Sequence, residues 1–418
     1  MYIHLIPGGF MQPLQNIRVL AVTVFLAGPY ASMNLARFGA EVIKVEIPNR
    51  GDPVRGNGPF AGPNGIKQEQ LSQEYISTRF LKRTQGVKSI TLDLKTDKGK
   101  EMFLELAKQS DVLLENLAPG SLKKIGLGYE DITKVNPQIV YCSISGYGQT
   151  GPYAAKPAHD PQIQGMSGLM DINGDPDGDP TRVGFYIGDL VTPIFACYSI
   201  LGALRNRDLT GEGKYLDVSM MDTLTALMFM ENLEEDMDSG VPLRTGNNSR
   251  GGPTGLYQGS DGGVIITAAS DDQWNRLAKA LDAESLINDD RYNEFQKRVD
   301  NVESARHEIQ SRVSNMTRDE MLSLLEQHDV PCSPVRTAQE VMHDQHFSNR
   351  GSLGELLHAG MDSPVEGIGS GFPVLFDGEA LPQVPGAPTL GMHNEEILGT
   401  LLGLSSEDIQ DLINKKIV

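Results

Sequence analysis

Apolar runs and amphipathic segments alternate along the first third of the chain. A β-rich run at 17–23 is followed by a break at 27–29 and by a helical pattern at 30–38. Gly39 ends that helix, and a second apolar run covers 40–46. A strand, a helix and a strand in this order predict a βαβ unit with parallel strands and a right-handed crossover.

The same alternation continues, which predicts a Rossmann-like α/β layer for the first part of the chain. We expect strands at 89–93, 112–115 and 139–144, and helices at 97–109 and 130–135. The first strand is not followed by Gly-x-Gly-x-x-Gly, so the dinucleotide fingerprint is absent. The sequence also lacks Walker A, His-Glu-x-x-His and Cys-x-x-Cys patterns, and it predicts no metal site.

Residues 46–88 show no clear periodicity and predict a long, irregular loop. A loop of this length inside a compact domain is commonly functional. Its basic residues are Arg50, Arg55, Lys67, Arg79, Lys82, Arg83 and Lys88.

The second half of the chain changes composition twice. Residues 190–235 have a helical pattern that a strand at 215–219 interrupts, and a segment rich in Gly, Asn and Ser follows at 246–263. Further elements are expected as a strand at 264–267 and helices at 271–281, 302–313, 317–327, 394–402 and 405–414. We therefore predict a large domain that begins with 1–234, a small α/β domain at 235–340, and a return segment, 341–418, that completes the large domain.

Charge and cysteine content narrow the function classes. The 418 residues carry a formal net charge of −19, which gives no broad attraction to nucleic acid or to anionic membranes. Cys142, Cys197 and Cys332 lie far apart in apolar runs, as expected for thiols of a reducing compartment. The sequence shows no signal-peptide pattern and no run of about 20 apolar residues that predicts a membrane span, so we expect a cytoplasmic protein.

Asp189 is the most informative candidate for chemistry. It is a lone carboxylate that follows Gly188 and precedes an apolar segment with helical spacing. A helix N-terminus would favour its ionised form through backbone N–H groups and the helix dipole, and an ionised carboxylate at the edge of a dry site is a nucleophile. The alternative interpretation is that Asp189 only caps the helix.

Nine blocks of sequence, taken in order, resemble the class III CoA-transferase family. That family includes formyl-CoA, carnitinyl-CoA and dicarboxylate CoA-transferases and the related 2-methylacyl-CoA racemases. The blocks are 26–30, 39–46, 88–95, 115–120, 126–129, 145–152, 188–189, 210–213 and 391–395. The resemblance implies a Rossmann-like large domain, a smaller α/β domain and an interlocked-ring homodimer, or a heteromer with a paralogous subunit. It implies acyl-CoA and a carboxylic acid as substrates, with no metal and no permanently bound cofactor.

The resemblance also implies a mechanism in which the carboxylate at Asp189 attacks the acyl-CoA thioester. A mixed anhydride and then an aspartyl-CoA thioester follow, and an acceptor acid collects CoA. Fixed N–H donors would stabilise the developing oxyanion, and the family's glycine loop corresponds to Gly251 and Gly252. The alternative for this segment is an ordinary interdomain linker. A CoA-binding subunit without catalysis would be expected to lack the Asp189 carboxylate.

Cationic and loop residues should line the path of CoA, because CoA carries phosphates. The resemblance implies contacts at Leu26, Ala27, Arg50, Lys88, Asn116, Leu117, Lys124 and Lys156. Leu26 stands where the family has Gln, and Ile47 stands where it has a basic residue, so we expect Arg50 to take over that role. For each lysine taken singly, a solvated surface position is the alternative.

His159 keeps a racemase open as the alternative function. The racemase branch has His-Asp at this position and its catalytic Asp 30 residues later, which is the spacing from His159 to Asp189. Two such groups on opposite sides of an α-carbon would exchange its proton. The Gly188-Asp189 pair resembles the transferase form instead. The sequence does not identify the acceptor acid, although Arg79, Arg182, Arg244 and Arg250 are candidate carboxylate clamps that favour a dicarboxylate and succinyl-CoA.

Overall fold

The computed structural model describes residues 12–240, 242–249 and 251–418. The strands are β1 (Arg18–Val22), β2 (Glu41–Glu46), β3 (Phe60–Gly62), β4 (Gly65–Lys67), β5 (Ile76–Ser77), β6 (Val87–Thr91), β7 (Val112–Glu115), β8 (Val140–Ser145), β9 (Lys214–Ser219), β10 (Gly255–Gln258), β11 (Gly263–Ile266), β12 (Cys332–Pro334), β13 (Leu353–Leu356), β14 (Val365–Ser370), β15 (Leu375–Phe376) and β16 (Glu379–Ala380).

The helices connect these strands and cover their faces. They are α1 (Ala27–Arg37), α2 (Thr78–Leu81), α3 (Asp97–Lys108), α4 (Ser121–Lys124), α5 (Tyr129–Val135), α6 (Asp160–Met166), α7 (Leu169–Ile172), α8 (Ile187–Thr210), α9 (Met220–Met228), α10 (Leu233–Asp238), α11 (Asp271–Ala280), α12 (Phe295–Asp300), α13 (Val302–Val313), α14 (Arg318–Gln327), α15 (Ala338–Met342), α16 (Gln345–Asn349), α17 (Asn394–Leu402) and α18 (Ser406–Asn414). Short 3₁₀ turns cover Pro53–Gly56 and Glu284–Ile287.

The chain divides into two compact units. The first contains the described residues up to Ser167, together with Gly184–Leu227 and Asp344–Val418. The second contains Gly168–Val183 and Met228–His343. The segment Gly168–Val183 therefore groups with the second unit, where the Gly246 N–H donates to the Gly174 carbonyl at 2.9 Å.

The first unit is built on a six-stranded sheet in the order β6-β2-β1-β7-β8-β9. Every adjacent pair in this sheet is parallel. The chain starts in the middle, at β1, moves outward to β6, and returns through β7 to the other side. This is the strand order of Rossmann folds, and it creates a crevice where the carboxyl ends of β1 and β7 lie side by side. The predicted α/β architecture is confirmed.

Alternating side chains of the central strands supply two cores, one on each face of the sheet. Leu20 packs in one core with Phe103 of α3 and Leu398 of α17. Its neighbours Val19 and Ala21 pack in the other core with residues of α1 and α8. The C-terminal helices thus complete a core that begins with the first strand.

Helix α8 is the longest helix among the described residues and is also apolar. By length and composition it would be able to cross a bilayer, although the sequence pattern did not predict a span. One face of it is buried in the core beside β8 and β9, through residues that include Ala196, Ile200 and Leu204. The opposite face exposes Ile194, Phe195, Tyr198, Leu201 and Leu209.

The second unit has its own small core. Strands β10, β11 and β12 form an antiparallel sheet. Trp274 of α11, Ile309 of α13 and Leu325 of α14 pack against this sheet with less than 2% of each side chain exposed. The capping boxes at Ser270 and Thr317 explain why α11 and α14 begin where they do, since each hydroxyl accepts the N–H three residues later.

The segment 46–88 differs from its sequence-based prediction, because much of it is regular. Strands β3, β4 and β5 form a small antiparallel sheet in the order β4-β3-β5, and α2 follows directly. Phe80 and Leu81 of α2 are fully buried beside it. Strands of two or three residues contain too few alternations of polar and apolar side chains to produce a visible pattern.

Candidate active site

Two predicted contact sites meet at the crevice between β1 and β7. The Val24 N–H donates to Asn116 Oδ1 at 2.8 Å, and Asn116 Nδ2 donates to the Val24 carbonyl at 3.0 Å. The first turn of α1 lies so close that a Cβ on Gly28 would come within 2.4 Å of Asn116 Oδ1. The structure therefore brings the turn that contains Leu26 and Ala27 together with the Asn116 loop, at the place where α/β folds bind ligands.

The Asn116 loop also contains a buried acid. The Leu117 N–H donates to Glu115 Oε2 at 2.8 Å. Burial raises the pKa of Glu115 to about 7, and the hydrogen bonds it accepts from Ser143 and Leu117 only partly oppose this. Leu117 itself is half-buried.

Phe25, between β1 and α1, is held in a backbone conformation that is rare for a residue with a side chain. Its φ is 63°. The Phe25 N–H donates to Asp52 Oδ1 at 3.1 Å, and its carbonyl accepts from Arg83 Nη1 at 3.0 Å. These two bonds fix the backbone on both sides of Phe25. The residue is 44% exposed at the crevice. Strain of this kind concentrates at ligand sites, where the surrounding structure maintains it.

A buried ion pair supports the Phe25 turn from below. Lys44 Nζ lies 3.0 Å from Asp52 Oδ2 and also donates to the Thr23 carbonyl, and both charged side chains are almost fully buried. Asp52 Oδ1 accepts the Val54 N–H as well. Because each charge has a partner and further hydrogen bonds, the network provides a rigid base.

Asp189 lies in the first turn of α8, as the sequence predicted, and is half-buried. The backbone N–H groups of that turn are not available to it. Asp160 Oδ2 accepts the N–H of Gly188 at 2.6 Å and the N–H of Asp189 itself at 3.2 Å. Asp160 is 1% exposed, and its other oxygen accepts from Gln164 Nε2 at 2.5 Å.

The electrostatics of Asp189 follow from this arrangement. Burial and the neighbouring charge of Asp160 raise the pKa of Asp189 to about 6, and the charge of Arg83 lowers it by less. The helix N-terminus was predicted to favour the ionised form of Asp189. That prediction is wrong, because burial and the charge of Asp160 both disfavour ionisation. Asp160 also accepts the N–H groups that were expected to stabilise the Asp189 charge.

Arg83 is a functional residue that sequence pattern alone did not identify. It lies just after α2, is half-buried, and is the cation whose charge acts on Asp189. Burial lowers the pKa of Arg83, while the charge of Asp189 raises it. Its position depends on the Phe25 carbonyl, which is 58 residues away in sequence. The only signal available was its membership of a long basic segment.

His159 lies beside the same crevice. It is the residue before α6, it is exposed, and its ring contacts the Phe25 ring edge-on at 6.3 Å between centroids. Its sequence neighbour Asp160 is the residue that holds the first turn of α8. The structure therefore brings His159, Asp160 and Asp189 into one region of the first unit.

A cleft of about 470 Å³ opens beside the carboxyl end of β2. Arg50, one of the predicted CoA contacts, is exposed on its lining. Arg55 also lines the cleft but is paired with Glu46 at 2.7 Å. The Tyr75 hydroxyl, also on the lining, is buried and has no hydrogen-bond partner within the described residues.

The three predicted lysine contacts are in different surroundings. Lys88 on β6 is bound to Glu41 at 2.8 Å and Glu396 at 2.7 Å, which raises its pKa although partial burial opposes this. Lys124 is exposed at the end of α4. Lys156 is exposed and lies over the Tyr153 ring, 4.5 Å from its centroid.

The predicted glycine loop belongs to the second unit. Gly252 has a φ of 75°, which a residue with a side chain rarely adopts, and the Gly251 N–H donates to Ser249 Oγ at 3.1 Å. Among the candidate clamps, Arg244 donates to the Gly178 carbonyl at 2.7 Å and Arg182 to the Val183 carbonyl at 3.1 Å. Arg79 is exposed on α2 in the first unit, and Arg250 lies outside the described residues.

Comparisons with known proteins match this geometry to one family. The profile of CoA-transferase family III matches residues 14–394. Succinyl-CoA:mesaconate CoA-transferase of Haloarcula hispanica is 35% identical over 394 residues, which cover 93% of this chain and 96% of that protein. Succinate–glutarate CoA-transferase of Agrobacterium fabrum is 33% identical over 392 residues, with coverage of 93% and 96%. The crystal structure of a CaiB/BaiF family protein from Brucella suis has a TM-score of 0.80 at 32% identity and covers 93% of this chain and 99% of that one.

A Rossmann-type layer with this site and these relatives defines an enzyme of the transferase class. The chain belongs to CoA-transferase family III. The resemblance inferred from nine short sequence blocks is thereby confirmed. The substrates of this enzyme are a CoA thioester and a carboxylate.

Proposed function

We propose that this enzyme moves CoA from succinyl-CoA to a second, free dicarboxylic acid, with Asp189 as the nucleophile. The observation that carries the proposal is the half-buried Asp189 carboxylate, on which the charge of Arg83 acts from beside the β1–β7 crevice. The relatives named above use succinyl-CoA or succinate with mesaconate or glutarate, all of which are dicarboxylic acids or their thioesters.

The transfer proceeds in four steps in which the carboxylate and the thiolate exchange places. An Asp189 oxygen attacks the thioester carbon, the C–S bond breaks, and CoA leaves as a thiolate, so that a mixed anhydride forms. The thiolate attacks the Asp189 carboxyl carbon and releases succinate, which leaves an aspartyl-CoA thioester. The acceptor carboxylate attacks that carbon and displaces CoA thiolate. The thiolate then attacks the acceptor's acyl carbon and regenerates the Asp189 carboxylate.

Arg83 suits the role of reading the substrate's distal carboxylate. A guanidinium binds a carboxylate through two parallel hydrogen bonds, and partial burial strengthens that interaction. Arg83 uses one nitrogen on the Phe25 carbonyl, which orients the group and leaves further N–H donors. The net charge of −19 repels dianionic substrates from the protein as a whole. An oriented cation beside the nucleophile would attract the substrate's second carboxylate locally and so favour dicarboxylates.

The CoA phosphates are assigned to the cleft beside β2. Arg50 supplies an exposed cation there, and the free Tyr75 hydroxyl supplies a donor. We assign a further part of the CoA path to Leu26, Ala27, Asn116 and Leu117, which belong to two loops that approach each other closely at the strand ends. Lys124 and Lys156 are exposed and add positive charge, whereas Lys88 is already neutralised by two carboxylates.

Product analysis with a panel of free acids tests the substrate assignment. Succinyl-CoA and acetyl-CoA are each incubated with mesaconate, glutarate, malate, oxalate and a matched monocarboxylate, and the thioester products are identified by mass spectrometry. The proposal expects CoA transfer from succinyl-CoA to at least one dicarboxylate and little transfer to monocarboxylates. Preferred transfer to the monocarboxylate would contradict it.

The covalent step has its own test. Enzyme incubated with succinyl-CoA is quenched with hydroxylamine or borohydride, digested and analysed for a modified peptide that contains Asp189. The same reactions run in deuterated water distinguish the transferase from the alternative function, a racemase. A racemase with His159 and Asp189 as its acid and base would introduce deuterium at the α-carbon of the acyl group, and it would need no acceptor acid. Deuterium incorporation without adduct formation would favour the racemase.

We further propose that the protein works as a homodimer. The support is the exposed apolar face of α8, where Tyr198 is 74% and Ile194 is 54% exposed in a single chain. Isolated exposed apolar residues are common, but a row of them along one helix is typical of a protein interface. Sedimentation equilibrium of the wild type and of Tyr198→Asp tests this, with a dimer expected for the first and a weakened dimer for the second.

A reducing, cytoplasmic setting is proposed as well. The three cysteines are free, and Cys142 and Cys197 are buried, where burial raises the pKa of each thiol. Buried, protonated thiols are poorly reactive. Detection of the native protein in the cytoplasmic fraction of its source cells tests this assignment.

A further inference from the structure

Asp160 holds the start of α8 although it belongs to another helix. Helices commonly begin with a side chain that accepts the N–H groups of the first turn. The residue before α8, Tyr186, offers no such acceptor. Asp160, the first residue of α6, accepts the Gly188 and Asp189 N–H groups in its place. The two carboxylate oxygens of Asp160 thus accept three hydrogen bonds, from the two N–H groups and from Gln164 Nε2.

We propose that Asp160 is a positioning residue for CoA transfer: it fixes the backbone of Asp189 and occupies the N–H groups that would otherwise bond the nucleophilic oxygens. This inference rests on the proposed function of Asp189. No hydrogen-bond donor reaches the Asp189 carboxylate within the described part of the chain. Its oxygens therefore keep their lone pairs for attack on the thioester.

The competition for N–H groups explains why a second acid is needed. Without Asp160, the unpaired N–H groups at the start of α8 would attract the Asp189 carboxylate, because acids in the first turn interact favourably with the helix N-terminus. A carboxylate held in this way is stabilised, turned toward its own backbone and less nucleophilic. With Asp160 in place, the cap and the nucleophile are two different residues. The sequence left both roles open for Asp189; in the structure Asp160 caps the helix, and Asp189 is left to act as the nucleophile.

Gly188 contributes to the same contact between Asp160 and the first turn of α8. A Cβ at this position would lie 3.1 Å from Asp160 Oδ2 and 3.3 Å from the Met220 side chain. Glycine thus allows the 2.6 Å approach of the Asp160 oxygen to the helix. The charged and titratable groups around Asp189 are Asp160 from α6 and Arg83 after α2, and around Arg83 they are Arg79, Asp52 and Tyr186.

The test uses Asp160→Asn, which keeps an oxygen acceptor and removes the charge. Asp111→Asn is the matched control, because Asp111 also accepts a backbone N–H, from Arg18 at 2.7 Å, and bonds Arg207 at the far end of α8. For each variant, the ¹³C carboxyl resonance of Asp189 is titrated, assigned by difference from Asp189→Asn. In parallel, kcat and KM are measured from pH 5 to 9.

The expected result is a change specific to Asp160→Asn. The Asp189 titration and the acid limb of kcat both move down by roughly one pH unit, kcat on the plateau falls about tenfold, and KM for the acyl-CoA stays within about twofold. Asp111→Asn leaves the titration and the acid limb where they are in the wild type. Unchanged titration and unchanged kcat in Asp160→Asn would overturn the proposal.

A second variant keeps the proposal testable if Asp160→Asn does not fold. Gly188→Ala favours the helix but places a methyl group against the Asp160 carboxylate. It should shift the titration in the same direction by a smaller amount, and no shift would contradict the proposal. The titration needs no turnover, so failure of the proposed transfer activity appears separately, as wild-type protein that titrates normally and transfers no CoA.

Discussion

Two acids of the same unit, the buried Glu46 and the half-buried Asp189, have opposite surroundings. Glu46, at the end of β2, accepts two hydrogen bonds from Arg55, at 2.8 and 2.7 Å, one from Ser89 at 2.7 Å and one from the Asp52 N–H at 2.9 Å. Burial alone would raise its pKa, but the hydrogen bonds and charge of Arg55 outweigh burial and hold the pKa at about 2. For Asp189, burial and the charge of another acid, Asp160, raise the pKa to about 6.

The difference separates an acid that holds the structure from an acid that reacts. Every lone pair that Glu46 offers is used, so the residue is stable and chemically inert. Asp189 is destabilised in its ionised form, which makes it the more basic and the more nucleophilic of the two. The family resemblance identified the reactive acid. The unequal supply of donors gives the physical reason.

The largest expected effect is the loss of transfer in Asp189→Ala. Removal of the nucleophile should lower kcat/KM by about 10³-fold or more, because the covalent intermediates form on the Asp189 carboxylate itself. Steady-state assays with succinyl-CoA and the best acceptor measure this, and circular dichroism checks the fold. A variant within tenfold of wild type would show that Asp189 is not the nucleophile.

Glu46→Gln should instead damage the fold. It leaves Arg55 buried without its counter-ion, which costs about 3–5 kcal/mol of unfolding free energy. Urea unfolding monitored by far-UV circular dichroism measures the loss of unfolding free energy. Glu130→Gln is the control, since Glu130 forms an exposed pair with Lys123 at 3.3 Å and should leave the midpoint unchanged. Equal midpoints for all three proteins would remove the structural role of Glu46.

Arg83→Met should weaken recognition of the acceptor. We expect KM for the dicarboxylate to rise about 10- to 100-fold, as for the loss of one charge-assisted hydrogen-bonded pair, with a smaller change for a monocarboxylate. Initial-rate measurements at saturating succinyl-CoA give this ratio. Lys82→Met, at the exposed neighbouring position, is the matched control. An equal loss for both classes of acid would indicate that Arg83 only supports the Phe25 turn.

The smallest effect is a gain of stability in Asp189→Asn that depends on pH. Since the folded-state pKa of Asp189 is raised to about 6, the native state holds this proton more tightly than the unfolded chain. The contribution of Asp189 to wild-type stability therefore falls as pH rises from about 4 to about 6. Relative to the wild type, the variant should be more stable by about 1–2 kcal/mol at pH 7.5 but not at pH 4. Thermal unfolding at both pH values measures the difference, and a gain at pH 4 as well would refute the electrostatic cause.

Sequence periodicity predicted most of the first unit because its elements are long and amphipathic. Strands β1, β2, β6, β7 and β8 were located within a few residues, and so were helices α1, α3, α5, α17 and α18. Strands β3 to β5 were missed because they are too short to show a period. The position of Asp189 in the first turn of α8 was predicted correctly, since the apolar helical spacing after it was clear.

The surroundings of Asp189 were beyond sequence reasoning. Asp160 lies 28 residues before Gly188, and nothing in its local pattern shows that it accepts that residue's N–H. Arg83 depends in the same way on a carbonyl far along the chain. Sequence pattern identifies which residue types are available, whereas the sign of a charge interaction depends on which groups the fold brings within a few ångströms.

Helix α8 has one further consequence. Its 24 residues extend about 36 Å, and Arg207 near its far end is tied to Asp111 at the opposite rim of the sheet. The position of the Asp189 side chain is thus fixed by contacts at both ends of a long helix and not by one flexible loop. An engineer who transplanted only the Gly188-Asp189 dipeptide into another scaffold would carry over the functional groups without the alignment that makes them useful.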